Sequence, residues 1–407
     1  MRIGTLFSGI GVPEQGAKRV YGDDLEMAFA CEYDKFARQS FEANYEIDAL
    51  HFHKDIHNMD GTQYQGKVDI LIGGSPCQAF SIAGLRNGTD DERGQLIYQY
   101  IRIVDEVKAP VIVYENVKGM LSIQGGKTIR EFVQALRDIG YYCHYEVVNT
   151  KNYGVPQNRE RIFLVGFLDH EAYHRFSFAP KQKLDKRLKD VLEDEVDEKY
   201  YLSDKIISGF LAKNERYEIE QKSKGFTFAP SDVEKPSSCL NARYYKSGVA
   251  DIYIDVIGLL DCKGTDQIRR VYGVYGVAAT LTTMQGGNQE PKIQIPSATK
   301  CGYELAESGD SINLSVPNST TRIGRVGKQV AQTLDTQCNQ AVVQQRIRKL
   351  TPRECLRLQD FPNTFKQVVS DSQMYKQAGN SMSVNVLEMI FRQIEKSKIV
   401  GNSGGLF

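Results

Sequence analysis

A chain of 407 residues, 41% apolar and 25% charged, is long enough for two domains with sizeable cores and has the make-up of an ordinary globular protein. No apolar run could span a bilayer by helix and the N-terminus opens on a strand pattern, so no secretory signal is expected and a cytoplasmic location is. The formal charge is zero, so any nucleic-acid partner must meet a local basic face, and eight cysteines without Cys-x-x-Cys pairs or zinc spacing argue for a reducing compartment and no structural metal.

Thr5 to Gly11 reads as a strand running into a Gly-x-Gly turn, and Val12 to Val20 has helical spacing. This is the first βα unit of a nucleotide-binding fold, in which Gly9, Ile10 and Gly11 let the backbone approach a ligand closely. Glu14 stands where a dinucleotide fingerprint carries its third glycine, and its carboxylate would repel a pyrophosphate. The next strand, Met27 to Ala30, ends at Cys31-Glu32-Tyr33, with an acid placed to grip a ribose diol and a ring placed to cover an adenine. A third unit ends at Lys54-Asp55-Ile56. Together these point to an adenosine-type ligand without a pyrophosphate, S-adenosylmethionine rather than NAD. His51, His53 and His57 read as surface histidines on a loop, not as a metal site.

Lys67 to Ile72 is a short buried strand, followed by Gly73-Gly74-Ser75-Pro76-Cys77-Gln78-Ala79-Phe80-Ser81. A packing cysteine needs neither flanking glycines nor a stiffening proline, so Cys77 reads as a reactive group at the carboxyl end of a strand. After Asp90 to Leu96 and a helix, the buried strand Pro110 to Tyr114 ends on Glu115-Asn116-Val117, where a glutamate is expensive unless it serves a site. Helix Thr128 to Ile139, strand Tyr145 to Val148, Gln157-Asn158-Arg159-Glu160-Arg161 and strand Ile162 to Gly166 follow. The alternation predicts an α/β fold with a doubly wound, mostly parallel sheet. Beyond it, Leu184 to Gly209 reads as helical and charge-rich, and the chain then turns to short Tyr-, Thr- and Gly-rich segments. Thr280-Leu281 and Thr333-Leu334 lie in echoing stretches, with Pro236 to Leu240 as a poorer third copy. Such hydroxyl- and amide-rich hairpins could read base edges. Arg346 to Phe365 returns to a compact pattern, with Thr351, Pro352 and Glu354 set as N-cap, first helical residue and capping-box partner. The division expected is 1–178, an inserted smaller β-rich domain over 179–345, and a return segment over 346–407.

Taken in order, Phe7-Ser8-Gly9-Ile10-Gly11, Glu32, Asp55-Ile56, Pro76-Cys77-Gln78, Arg93 to Leu96, Glu115-Asn116-Val117, Gln157 to Arg161, Leu350 to Glu354 and Gly379-Asn380-Ser381 resemble the DNA (cytosine-5) methyltransferase family of bacterial and phage restriction-modification type. The set spans nearly the whole chain apart from the middle domain. Thr5 departs from the family's usual Asp, and Lys54 from its usual Gly. The resemblance implies a class I, Rossmann-like methyltransferase domain and methyl transfer from S-adenosylmethionine to C5 of a flipped-out cytosine in double-stranded DNA. By the same resemblance Cys77 is the nucleophile at C6, Glu115 bonds N3 and the exocyclic amine, Arg161 steadies O2, and Arg159 acts beside it. Phe7, Gly9, Ile10, Gly11, Glu32, Tyr33, Asp55, Ile56, Pro76, Leu96, Asn380 and Met382 would line the cofactor pocket. Ser81 and Arg93 would contact DNA, and Thr280, Leu281, Thr333 and Leu334 would lie in a target-recognition domain. A monomer is implied, and a cognate restriction endonuclease, where one exists, would act separately. The rival substrate is tRNA, but that related branch continues from its cysteine as Cys-Phe-Thr and Pro76-Cys77-Gln78 does not. A non-catalytic paralogue would lack Cys77, Glu115 or Arg161, and a nicotinamide oxidoreductase would not carry Glu14.

Overall fold

The computed structural model describes residues 1–75, 95–219, 228–257, 293–296, 303–306, 311–313, 325–327, 340–342 and 345–398. The chain forms two compact units, one from Met1–Val196, Asp232–Ile252 and Leu350 onward, the other from Asp197–Ser231 and Tyr253–Lys349. Residues 179–196 and 232–252, grouped by composition with the middle domain, thus cluster with the first unit.

The first unit is built on seven strands: β1 Arg2–Leu6, β2 Glu26–Cys31, β3 Phe52–His53, β4 Ile70–Gly73, β5 Val111–Val117, β6 Tyr142–Asn149 and β7 Glu160–Phe167. Their spatial order is β3-β2-β1-β4-β5-β7-β6, all parallel except β7, which runs antiparallel to both neighbours. β4 is buried along its whole length, as a strand covered by helices on both faces must be. The chain winds outward from β1 through β2 to β3, then returns beside β1 as β4. The crevice at the carboxyl ends of β1 and β4 is therefore the topological switch point, where open α/β sheets bind their ligands. Phe7 to Gly11 leaves one lip of that crevice and Gly74-Ser75 the other.

The helices of this unit are α1 Val12–Tyr21, α2 Lys35–Asn44, α3 Gln95–Val107, α4 Lys127–Asp138 and α5 His170–Arg175. With Leu6, Leu71, Ile112, Tyr114 and Leu164 from the sheet, Tyr100, Val104, Phe132 and Leu136 from helices 95–107 and 127–138 make the main apolar core. A further helix, α6 Asp204–Ile219, belongs to the second unit. Three more, α7 Pro352–Arg357, α8 Asp371–Asn380 and α9 Val384–Lys398, return the chain to the first unit. The apolar face of α9 packs on α1, where a Cβ on Gly16 would lie 3.1 Å from that of Leu387. A side chain at this position would crowd the neighbouring helix, so the glycine suits the close approach. Thr351 and Glu354 form the expected reciprocal capping box at the start of α7.

The helix expected over Leu184 to Gly209 is not continuous. Leu188–Val191 and Glu198–Tyr200 are single 3₁₀ turns, and the helix proper begins at Asp204 and runs to Ile219. The reason is competition for backbone donors: the amides of Leu188 and Lys189 bond the carbonyls of Lys235 and Val233 instead of a preceding helical turn. In the second unit β8 Tyr253–Ile257 pairs antiparallel with the strand Gln345–Lys349, which also receives the amide of Leu202. Phe210, Phe228 and Tyr253 form its aromatic cluster. Short antiparallel strands, among them Ile293–Pro296 with Tyr303–Ala306, bear out the β-rich character expected there. The Thr280-Leu281 and Thr333-Leu334 segments lie outside the described residues.

Candidate active site

The lip of the crevice that follows β1 begins with an unusual backbone. Phe7 has φ +55° and Gly9 φ +57°, both left-handed, and for a phenylalanine this is strained. Ser8 holds the turn in place. Its amide donates to the Cys31 carbonyl at 3.1 Å, and its Oγ accepts from the Cys31 amide at 3.2 Å. Beyond it, the Gly9 amide donates to Glu32 Oε2 at 2.8 Å and the Asp34 amide to Glu32 Oε1 at 2.7 Å. Burial raises the pKa of Glu32, and those backbone amides work against the rise. The expected acid at the end of β2 is thus fixed against the glycine turn by its own hydrogen bonds. Gly11, φ +86°, is also obligatory: a Cβ there would sit 2.1 Å from the Tyr45 ring, whose hydroxyl donates to the Gly11 carbonyl at 2.7 Å.

Glu14 does not stand at the mouth of this turn, as the pyrophosphate argument supposed. It is 1% exposed, and its Oε1 accepts from Thr5 Oγ1 at 2.6 Å, the position that departs from the family's aspartate. Burial pushes its pKa up to about 7, with the Thr5 bond opposing. Asp55 caps the turn Ile56–Asn58, accepting from the His57 amide at 3.0 Å, and Ile56 is buried. Tyr33 is 70% exposed, with Lys54 Nζ 6.0 Å from its ring centroid. His51 and His53 both bond the Tyr64 hydroxyl, and among the described residues no group of three or more His, Cys, Asp or Glu could hold a metal.

These groups suit a nucleoside that carries no phosphate. Over Gly9 the space is open, a Cβ there meeting only the Phe7 carbonyl at 4.0 Å. Glu32 and Asp55 offer carboxylate acceptors, and Tyr33 an uncovered ring face. Leu96 packs into the main core from its helix, Ile10 is buried, and Asn380 is exposed at the end of helix Asp371–Asn380. Met382 Cε lies 3.6 Å from where a Cβ of Gly74 would stand, so this residue of the return segment reaches the β4 lip.

The second lip gathers a buried carboxylate and an arginine. A Cβ on Gly74 would sit 2.9 Å from the Glu115 carbonyl and 3.1 Å from Glu115 Oε2, so the chain entering the cysteine loop passes directly against that carboxylate. Ser75 Oγ lies 2.7 Å from the Tyr114 hydroxyl, and Asn116 Nδ2 donates to the Ser75 carbonyl at 3.1 Å and to the Tyr114 hydroxyl at 2.9 Å. The base of the loop is thereby tied to β5 through buried polar groups. Pro76, Cys77, Ser81 and Arg93 lie outside the described residues. Glu115 itself pairs with Arg161, Oε1 to Nε 3.2 Å, with both side chains largely buried. Burial raises the Glu115 pKa, and the nearby Arg161 and Arg159 charges pull it back. The register explains the pairing: β5 and β7 are antiparallel neighbours, so Glu115 and Arg161 meet at one end of the sheet.

Arg159 has a different part from the one the sequence suggested. Only 2% exposed, it donates through Nη1 to the Leu240 carbonyl at 3.1 Å and through Nη2 to the carbonyls of Gly379 at 3.2 Å and Ser381 at 2.7 Å. A guanidinium so committed is a strut joining three chain segments. Its neighbour Gln157 is wholly buried and bonds the Leu358 carbonyl. Two features escaped the sequence reading: the Ser75–Tyr114–Asn116 network, and the packing of residues 237–241 against the site. The weak echo Pro236 to Leu240 was the visible signal, but it pointed to the middle domain. Instead Ser237 exchanges backbone bonds with Pro156 and Asn158, and Asn241 presses on Gly379.

No helix among the described residues is long and apolar enough to cross a membrane. The C-5 cytosine-specific DNA methylase family model matches residues 1–396. The chain is 31% identical to the orphan methyltransferase M.Rho11sI of Bacillus phage rho11s, over 97% of both chains. It is 30% identical to the type II methyltransferase M.SsoII of Shigella sonnei, over 97% of this chain and 79% of that one. In fold it is similar to the Entamoeba histolytica methyltransferase EhMeth (TM-score 0.60, 14% identity, 97% of each chain) and to the S. pombe Dnmt2 methyltransferase (TM-score 0.58, 16% identity, 97% and 98%). A family model spanning nearly the whole chain, over a seven-stranded sheet whose switch point carries Glu32 on one side and the Glu115–Arg161 pair on the other, makes this protein a member of the C-5 cytosine-specific DNA methylases, and an enzyme of that kind.

Proposed function

We propose that the protein methylates C5 of a cytosine extruded from a short specific sequence of duplex DNA, through a covalent bond between Cys77 and C6. The observation that carries this reading is the buried Glu115–Arg161 pair against Gly74, three residues before Cys77. C5 of cytosine is a poor nucleophile until another group adds to C6. The Cys77 sulfur, as thiolate, forms that bond. The displaced ring electrons are received at N3, to which Glu115 gives or shares a proton, and burial, which raises its pKa, favours that role. Arg161 holds the Glu115 carboxylate in place and offers its remaining donors to O2. When bound, S-adenosylmethionine supplies an electrophilic methyl group, which C5 then takes. Loss of the C5 proton to a base expels the Cys77 thiolate, the N3 proton returns to Glu115, and the ring is aromatic again. Attack at C6 comes from above the ring plane, which a stacked neighbour occupies in a duplex, so the base leaves the helix at a cost of a few kcal/mol.

Glu32 and Asp55 would grip the ribose and amine of the cofactor, and Tyr33 would cover its adenine. Arg159 holds the wall formed by Leu240, Gly379 and Ser381. The second unit, with residues 277–289 and 330–340, would choose the site. The name of the phage relative, an orphan methyltransferase, supports a reading in which no companion endonuclease is required. The test is transfer of labelled methyl from S-adenosylmethionine to mixed-sequence duplex DNA. Glu115→Gln should cut the rate about 10²–10⁴-fold while calorimetry shows unchanged cofactor affinity. A near-wild-type rate would remove Glu115 from the chemistry, and labelling of tRNA in place of duplex would overturn the substrate.

A further inference from the structure

Half of the arginines and lysines described in the first unit are answered by carboxylates. Arg2 pairs with Asp69, Arg19 with Asp360, Arg102 with Glu106, Lys118 with Glu160 and Lys376 with Asp34. The turn around Tyr244–Lys246 carries two of those that are not, and its backbone packs on Gly379. Arg243 and Lys246 are exposed, and neither forms an ion pair with a carboxylate among the described residues. Asp251, the nearest acid in the chain, is engaged by Asn241 Nδ2 at 3.0 Å and by the Gly248 amide.

The turn is also held rigidly beside the chemistry. Tyr244 is 1% exposed; its hydroxyl donates to the Ile252 carbonyl and accepts from the Leu350 amide, and its ring stands edge-on to Tyr375 at 5.2 Å. Asn241 Oδ1 accepts from the Arg243 amide at 2.8 Å. A Cβ on Gly379 would fall 2.4 Å from the carbonyl carbon of Asn241, so the backbone here lies directly on the Gly379-Asn380-Ser381 segment. Arg159 closes the connection: it bonds the Leu240 carbonyl on one side and feels the charges of Arg161 and Glu115 on the other. Arg243 therefore stands three residues beyond a carbonyl that shares a guanidinium with the catalytic wall.

We propose that Arg243 and Lys246 grip backbone phosphates of duplex DNA beside the extruded cytosine, a phosphate contact built into the catalytic unit. The proposal rests on the duplex-DNA reading above. The Arg243 guanidinium matches phosphate oxygens in a planar fork, and Lys246 adds a point charge. Exposed Tyr245, with Lys246 Nζ 5.7 Å from its ring centroid, offers a flat face beside them. Phosphate contacts carry no sequence information, so they set affinity and position while leaving site choice alone.

The experiment compares wild type with Arg243→Gln/Lys246→Gln, binding a labelled duplex pool at 50 and 200 mM salt, with cofactor calorimetry as the check on folding. Each phosphate contact adds about 0.9 to the log–log salt slope, so loss of two should make the variant's affinity fall about 12-fold less than the wild type's over that range. Cofactor affinity should not change, nor the methylated motif. If the wild type binds duplex with a steep salt slope and the variant has the same slope and affinity, the turn is not a phosphate clamp, while the duplex reading stands. If the wild type shows no salt-dependent duplex binding, both readings fail together.

Discussion

Glu14 shows how one buried carboxyl adds a pH dependence to a nucleotide-binding turn. In the folded chain its pKa is about 7, against 4.5 for an unperturbed glutamate, because it is fully buried. The native state therefore holds the proton more tightly than the unfolded chain does. The stability this confers is complete below about pH 4.5 and is lost as pH rises to 7, on the order of 3 kcal/mol in all. Glu14→Gln keeps the shape without the titration. Its melting temperature should match the wild type's near pH 5 and exceed it by several degrees at pH 8. A constant difference across that range would mean that Glu14 stays ionised in the folded protein. At this scale the sequence was half legible. Glu115 and Arg161, singled out near strand ends, do pair in the folded chain, and Glu32 does lie against the glycine turn. Glu14 and Arg159 were misjudged because burial, not position in the chain, decides what their charges do.

Among elements, the pairing of β5 with β7 matters most, since it brings Glu115 and Arg161 together, and the segment before β7 makes Arg159 a strut. The two arginines, two residues apart, should fail in different ways. Arg159→Leu strands the carbonyls of Leu240, Gly379 and Ser381, at about 1–3 kcal/mol for each left unsatisfied. Urea unfolding should show a clear fall in midpoint, with cofactor binding weakened as the 379–382 segment loosens. Arg161→Leu leaves the buried Glu115 without its ion-pair partner, so it too should lower the midpoint, but it should keep cofactor affinity and lower the methylation rate at saturating cofactor. Unchanged cofactor affinity in Arg159→Leu, or a full methylation rate in Arg161→Leu, would contradict this division of labour. The strands and helices themselves were readable from apolar runs and glycine turns. The register that sets Glu115 beside Arg161 was not, because antiparallel insertion of β7 depends on long-range pairing that no local pattern encodes. The helix expected from residue 184 failed for a related reason: distant carbonyls at 233 and 235 took its amides.

At the scale of the whole molecule, an α/β unit carries the proposed catalytic groups, while a second unit, with short antiparallel strands among its described residues, occupies most of the stretch that composition marked as different. The change of character near residue 181 was visible, but residues 232–252 return to the first unit inside that stretch, through contacts such as Ser237 on Pro156 that composition cannot foretell. If the second unit reads DNA, replacing residues 277–289 should change or abolish the methylated motif in sequenced plasmid DNA while cofactor affinity is unaltered. An unchanged motif would move site choice elsewhere in the chain.

The most direct test of the central claim is bisulfite sequencing of plasmid DNA from cells expressing this chain, beside cells expressing Cys77→Ser. Protected cytosines confined to one short motif, and absent with the variant, are the expected result. Protection that persists with Cys77→Ser, or no protection with the intact chain, would contradict it.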